Sequence, residues 1–423
     1  MSLIWKARPM HAAGMALTLV FSAGVSAQGT APQGSSTQGP SMGSATEMAR
    51  PSEAVTPPGG IPVGPMVAYP TLDVSAGNNS NLFSSNINKR SSNQTIVSPA
   101  IKFEAKPGTH KFDITFRLDG GTYWDSRNDD YTNYSAIANA DLAISGRAGL
   151  KVRAEYLYAV DPRGSNDRAA SATPDEYVNQ GIGGIFSYGA PGAQGRIEID
   201  GAAFTRRYQN NRNTTVISDR DTTQLGATFL WRVAPKTEIL GLVQRRDIDY
   251  ILSTSTQDST ETRYQAGVKW EATAKTTGIF KAGRLEKEFN TGARTNFSGA
   301  SWDAIVRWSP LTYSVWDFTT SKQTNESTGT GDFLLTQYYG AVWNHAWNSR
   351  LSTAANASWR EDEFRGTGGG RMDKTSVLGA KATYQWQRWL RLGAEYTYTD
   401  RTSNNSTFDF SRHLIMFTAG ATM

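Results

Sequence analysis

His110-Lys-Phe-Asp-Ile-Thr-Phe-Arg-Leu-Asp119 alternates residue by residue. Phe112, Ile114, Phe116 and Leu118 fall on one face of an extended chain, and Lys111, Asp113, Thr115, Arg117 and Asp119 on the other. A period of two is that of a β-strand, and such a strand divides an apolar medium from water. The pattern returns along the chain. Leu150, Val152, Ala154, Tyr156 and Tyr158 oppose Lys151, Arg153 and Glu155. Tyr264, Ala266, Val268 and Trp270 oppose Arg263, Gln265, Lys269 and Glu271. Trp302, Ala304, Val306 and Trp308 oppose Asp303 and Arg307, and Leu390, Leu392, Ala394, Tyr396 and Tyr398 oppose Arg391, Glu395 and Thr397. Around Thr237–Arg246 and Thr312–Thr320 the alternation slips, as a β-bulge would make it.

Between these runs the connections alternate in length. Lys106-Pro-Gly-Thr109, Ser145–Gly149, Ala190–Gly195, Val233–Lys236, Thr273–Thr277, Ser309-Pro310, Asn348-Ser349 and Gln387-Arg388 are short. Asp161–Glu176, Asn210–Asp221, Ser253–Thr260, Lys322–Asp332, Gly366–Lys374 and Asp400–Asp409 are long and polar. Tight turns on one rim and long loops on the other mark a transmembrane barrel with its turns in the periplasm. Aromatic residues gather near strand ends, among them Tyr123, Trp124, Trp231, Trp308, Trp347, Trp386 and Trp389, as interfacial girdles do. An open sheet edge in hydrocarbon would leave backbone groups unpaired, so the sheet must close. The expected fold is all-β: an antiparallel up-and-down transmembrane barrel of about 18 strands over residues 67–423. An even count puts both chain ends on the periplasmic rim.

Composition agrees with this architecture. Mean hydropathy is −0.47 although only alternate residues need face lipid. The 423 residues include no cysteine, which excludes disulfides, thiolate zinc sites and a lipidated N-terminal cysteine. Lys6 and Arg8, the apolar stretch Ala12–Val20 and the small residues Val25-Ser26-Ala27 read as a signal peptide over residues 1–27, cleaved before Gln28. Residues 28–66 are Gly, Pro, Ser, Thr and Gln with almost no large apolar side chain, a composition that reads as a disordered periplasmic tether. Net charge is +5, or about +3 without Lys6 and Arg8, and no basic run interleaved with aromatics suggests nucleic acid.

The barrel opens on Tyr69-Pro-Thr-Leu-Asp-Val-Ser-Ala-Gly-Asn-Asn-Ser-Asn-Leu-Phe83 and returns through Thr95-Ile-Val-Ser-Pro-Ala-Ile101. A strand, an Asn-rich N-L-F loop and a V-S-P return resemble an outer-membrane β-barrel porin family linked to exopolysaccharide biosynthesis operons. The resemblance runs from about Tyr69 to the end. It implies the bacterial outer membrane, a polysaccharide as the transported polymer, and periplasmic export or biosynthesis proteins as partners. One feature departs from the usual pattern of such barrels: the last strand ends in Met423 rather than Phe or Trp.

Chemistry is expected on the inner wall. Lys111, Asp113, Arg117, Lys151, Arg153, Glu155, Arg263, Lys269, Asp303, Arg307, Arg360 and Arg391 are its candidate lining residues. A basic wall focuses its field on anions; the alternative is that these charges pair across strands. Asp161–Glu176, with Arg163, Asp167, Arg168, Asp175 and Glu176, reads as a solvated surface loop, the alternative being that it folds inward as a constriction. No metal, cofactor or catalytic set is expected. His110, His345 and His413 are scattered, G-x-S-x-G is absent, and Gly366-Thr-Gly-Gly-Gly370 lacks the Lys of a phosphate loop. Three readings follow: a conduit for exopolysaccharide export, a general or substrate-selective porin for small solutes, and a non-conducting structural or adhesive barrel.

Overall fold

A computed structural model describes residues 59–423 except 166, 167, 169, 170, 191 and 274. The signal segment 1–27 and most of the 28–66 tether therefore lie outside the described residues. The strands are β1 (Ile61–Val63), β2 (Met66–Asn79), β3 (Ser92–Ala105), β4 (Lys111–Tyr123), β5 (Tyr131–Ala143), β6 (Ala148–Asp161), β7 (Asp175–Tyr188), β8 (Gly195–Tyr208) and β9 (Arg220–Ala234). They continue as β10 (Thr237–Tyr250), β11 (Ser259–Thr273), β12 (Thr276–Phe289), β13 (Phe297–Leu311), β14 (Ser314–Glu326), β15 (Phe333–Ala346), β16 (Leu351–Arg365), β17 (Met372–Gln387), β18 (Leu390–Ser403) and β19 (Phe410–Thr422).

Each strand from β2 onward pairs antiparallel with the next, and β19 closes on β2 from Leu414↔Asn79 to Thr422↔Thr71. The result is an 18-strand up-and-down barrel with no free edge. The first strand is extra. β1 folds back on β2 through Ile61↔Ala68 and Val63↔Met66. Residues 61–66 thus form a hairpin inside the stretch expected to be tether. Gly64, at φ 58°, supplies the left-handed backbone of the turn that makes this hairpin, and Ile61 and Val63 supply the β-branched strand residues.

Side chains alternate as the sequence requires, but with the polarity of a soluble protein reversed. Leu72, Val74, Phe116, Leu118, Ile415 and Phe417 are exposed on the outside, while Asp73, Ser75, Gln94 and Ser98 are buried inside. A large apolar belt around a polar interior needs lipid as its outer solvent. Both ends of the described barrel lie on one rim, where eight connections of two to six residues run. The other rim carries nine connections of six to thirteen residues. Trp231, Trp308, Trp347, Trp386 and Trp389 stand exposed near the short-turn rim, at the depth where indole rings favour the headgroup layer. Tyr123 does not join this girdle: its parity points inward, against the Tyr131 ring at 6.2 Å.

Two expectations about irregular strands resolve. Within Thr237–Arg246 the register is continuous, and the shift sits at its edge, between Thr237 and Glu238. The alternation is blurred because Leu240 and Leu242 face inward, so both faces are apolar. Thr312 and Tyr313 are the β13–β14 turn itself, and the register shift falls between Trp308 and Leu311. Ser309-Pro310, expected as a connection, is therefore a bulge inside β13, where Pro310 donates no ladder bond. The wall is creased between β11 and β12. At the inward-facing Gly267 and Gly283 the backbone of the adjoining strand occupies the space a Cβ would need.

Candidate functional site: the narrowed lumen

Strand parity places all twelve candidate residues on the inner face. Lys111, Asp113 and Arg117 share it with their cross-strand neighbours Asp141, Asn139 and Ser135. Lys151, Arg153 and Glu155 lie on the inner face of β6, Arg263 and Lys269 on that of β11, and Asp303 and Arg307 on that of β13. Arg360 and Arg391 complete the ring on β16 and β18.

Most of these charges are matched within the wall. Arg117 holds Asp119 at 2.6 Å, Arg153 holds Glu155 at 3.1 Å, and Arg307 holds Asp317 at 2.7 Å. Arg360 pairs with Asp362 at 2.5 Å and Arg391 with Asp73 at 2.8 Å. Asp303 takes Lys281 at 3.0 Å, and Asp113 accepts from Asn139 at 2.8 Å. Five of the nine candidate cations are thus neutralised by a neighbouring carboxylate, and the wall is a ladder of ion pairs rather than a uniformly basic surface. Several pairs join residues two apart on one strand, the spacing that returns a side chain to the same face. Asp73, Asp317 and Asp362 were missed as partners because their strands alternate less cleanly.

Two elements from nearly opposite walls depart from the regular wall and pack against its inner face. The first is the upper part of the β14–β15 hairpin. β14 leaves β13 after Trp302↔Lys322, yet stays paired with β15 as far as Glu326↔Phe333. Beyond Lys322 the residues with lipid-side parity are buried. Thr324 donates to Glu261 Oε1 at 2.5 Å. Glu326 accepts from Lys287 Nζ at 2.7 Å and from the Tyr250 hydroxyl at 2.7 Å. Tyr250 belongs to β10, four strands away, about 19 Å along the wall at 4.8 Å per strand. Only a hairpin bent into the lumen brings Glu326 there. Lys287 also holds Glu261 at 3.2 Å, and Arg246 donates to the same carboxylate at 3.0 Å. Lys287 and Glu261 are fully buried and Glu326 nearly so, but the charges are mutually bonded, the condition under which burial of ions is tolerable. Above them Phe333 and Leu335 pack with Phe289 and Phe297 of the wall.

The second element is the 162–174 connection, read from sequence as a solvated surface loop with an inward fold as the alternative. Arg168 reaches Asp161 at 3.0 Å, Asp175 at 3.0 Å and Ser218 Oγ at 3.1 Å, over the inward Tyr208 ring. Burial opposes the charge of Arg168, but Tyr208, Asp161 and Asp175 outweigh it and hold its pKa above the usual range. Arg163 bonds Asp129 and lies over the Phe83 ring, and the Asp129 bond raises its pKa too. One loop therefore ties the β2–β3 and β4–β5 connections to the β8–β9 connection along the rim. Asp167 falls outside the described residues, and Glu176 accepts from Tyr158 instead of joining the mouth. Among the described residues no cluster of His, Asp and Glu has the makings of a metal site.

The pattern of the family described as "Putative beta-barrel porin 2" matches residues 54–422, nearly the whole barrel. The chain belongs to this family. It is an outer-membrane porin, and family and fold alike are those of channels. No curated protein matches it. Solved structures similar to it include OpdK of Pseudomonas aeruginosa with vanillate (10% identity, 84% of this chain and 99% of that one, TM-score 0.48). A BenF-like porin from Pseudomonas fluorescens Pf-5 aligns over 85% of this chain and 100% of its own, at 10% identity and TM-score 0.48. OccAB3 of Acinetobacter baumannii aligns over 85% and 100%, at 11% identity and TM-score 0.46. The link to exopolysaccharide operons that the resemblance carried does not return in any of these matches.

Proposed function

We propose that this porin is a passive, selective diffusion channel for small hydrophilic solutes. The observation that carries the reading is the pair of inward elements, hairpin 323–336 and loop 162–174, set across a tube lined with polar side chains. Inner-wall groups such as Asn356 and Arg391 are exposed, so water and solutes reach the wall. A solute small enough to pass the narrowing exchanges its hydration for hydroxyls, amides and paired charges on the way. Passage of a folded-back polysaccharide chain is the less suited task, because both elements take up the cross-section such a polymer needs. Liposome swelling tests this directly. Proteoliposomes swell in monosaccharides and amino acids and do so progressively less in longer oligosaccharides. Swelling that is equally fast in long oligosaccharides would return the polymer-conduit reading, and none with any solute would leave a non-conducting barrel.

A further inference from the structure

Arg412 lies on the inner face of β19 near the loop rim and is 6% exposed. Its Nη2 atom is buried with no hydrogen-bond partner. This sets it apart from Arg117, Arg153, Arg307 and Arg360, each of which has a carboxylate on the same wall. The groups that face Arg412 electrostatically are the Tyr123 hydroxyl and a second cation, Arg401. Directly across the ladder stands Thr399, whose hydroxyl is also buried without a partner. Four residues along, Met416 receives the amide of Gln94 at 3.2 Å, and the Gln94 Oε1 atom is again buried and unpartnered. Phe410, Leu414 and Met416, buried beside the arginine on the same strand face, make the remaining wall apolar.

A buried guanidinium with an unused donor is expensive unless something accepts from it. Arg401 stands on the same inner face, opposite Phe410 across the ladder. Its own Nε donates to the Phe408 carbonyl at 2.7 Å, which keeps the side chain in place beside the Phe410 ring. The surroundings are therefore buried and low in dielectric, with an unused guanidinium donor and the hydroxyls of Tyr123 and Thr399 at hand. That combination suits an anionic oxygen group, planar for a guanidinium to grip, attached to a body small enough to sit against Phe410 and Leu414.

We propose that Arg412, with Arg401, Tyr123 and Thr399, forms a lumenal binding site for small carboxylate solutes. The proposal deepens the reading of the barrel as a solute channel, and its test is kept independent of conduction. Detergent-solubilised barrel is titrated calorimetrically with benzoate, acetate and inorganic phosphate. Benzoate binds saturably at one site, acetate more weakly for want of the apolar contact, and phosphate no better than acetate. Arg412→Gln weakens benzoate roughly ten- to hundredfold, the loss of a hydrogen bond to a charged group. Arg412→Lys retains part of the affinity, Thr399→Val loses a few-fold, and Arg284→Gln on the outer face changes nothing. Heat-modifiable mobility on a gel verifies that each variant is folded. Unchanged benzoate affinity in folded Arg412→Gln overturns the site, as does the absence of saturable binding by wild type. Preference for phosphate over benzoate overturns the carboxylate assignment. Absent conductance with benzoate binding intact would sink the channel reading and leave the site standing.

Discussion

The inward hairpin is held by two separable clasps, and releasing both should widen the channel. The polar clasp is Glu326, bonded by Lys287 and Tyr250 at 2.7 Å each. A hydrogen bond to a charged group contributes about 1.5–3 kcal/mol, so Glu326→Ala loosens the hairpin by roughly 3–6 kcal/mol. Lys287 keeps Glu261 at 3.2 Å but shares it with Arg246, so the variant leaves one cation in excess there, and heat-modifiable mobility verifies that the barrel still folds. The apolar clasp is Phe333, 2% exposed, with Leu335, 7% exposed. Burial of each contributes about 1.5–3 kcal/mol, again roughly 3–6 kcal/mol together. Each clasp alone thus favours the inward position by about two to four powers of ten, at about 1.4 kcal/mol per tenfold. Glu326→Ala by itself leaves the apolar clasp, and its channels stay mostly narrow with brief excursions to higher conductance. Glu326→Ala with Phe333→Ala removes the polar clasp and about half of the apolar one, and unit conductance in planar bilayers rises, together with the size of the largest polyethylene glycol that enters. A folded double variant with wild-type conductance and the same polymer cut-off would refute the claim that this hairpin sets the bore.

Other outcomes follow from the same geometry. Arg168→Ala removes the bonds to Asp161, Asp175 and Ser218, so the 162–174 loop becomes open to protease added outside intact vesicles; unchanged resistance would place its anchor elsewhere. Phe417→Arg puts a cation on the lipid face at mid-strand and lowers folding stability in urea by about 2–4 kcal/mol. Trp389→Arg at the rim lowers it by about 0–1 kcal/mol, and equal losses would contradict the depth assigned to the two sites. Gly283→Val drives a side chain into the Tyr264 backbone and lowers the yield of heat-modifiable barrel, with a loss of at least about 1–3 kcal/mol; a wild-type urea midpoint would show that the crease can relax.

The wall of this barrel is legible in its sequence because lipid and water act on alternate residues along the same strand. Lys111–Asp119, Leu150–Tyr158 and Leu390–Tyr398 announce both faces without any knowledge of neighbours. The rims are legible too, since loop length alone assigns them. Ion pairing is less so. Arg117 and Asp119 are two residues apart and can be matched by eye, but Arg391 and Asp73 meet only because the ends of the chain are stitched together. The hairpin β1 hid inside a Gly- and Pro-rich stretch whose composition spoke for disorder, although Ile61 and Val63 flank a turn glycine.

The narrowing was invisible strand by strand for a different reason: it is written as two violations on separate strands. On β14 and β15, Thr324, Glu326, Phe333 and Leu335 have lipid-side parity, and a carboxylate such as Glu326 has no place against hydrocarbon. On β10, β12 and β13, Tyr250, Phe289 and Phe297 have lumen-side parity, where a wet wall wants polar groups. Taken singly, each looks like noise in the alternation. Together they fit, because a hairpin that leaves the sheet and lays its outer face on the inner wall must carry polar groups where that wall offers Glu261 and Lys287. It must likewise carry aromatics where the wall offers Phe289 and Phe297. In a barrel, then, a polar break on the outer parity of one hairpin and an apolar break on the inner parity several strands away are one feature. The distance between them along the sheet, here from β14 to β10, measures how far the hairpin reaches across the channel.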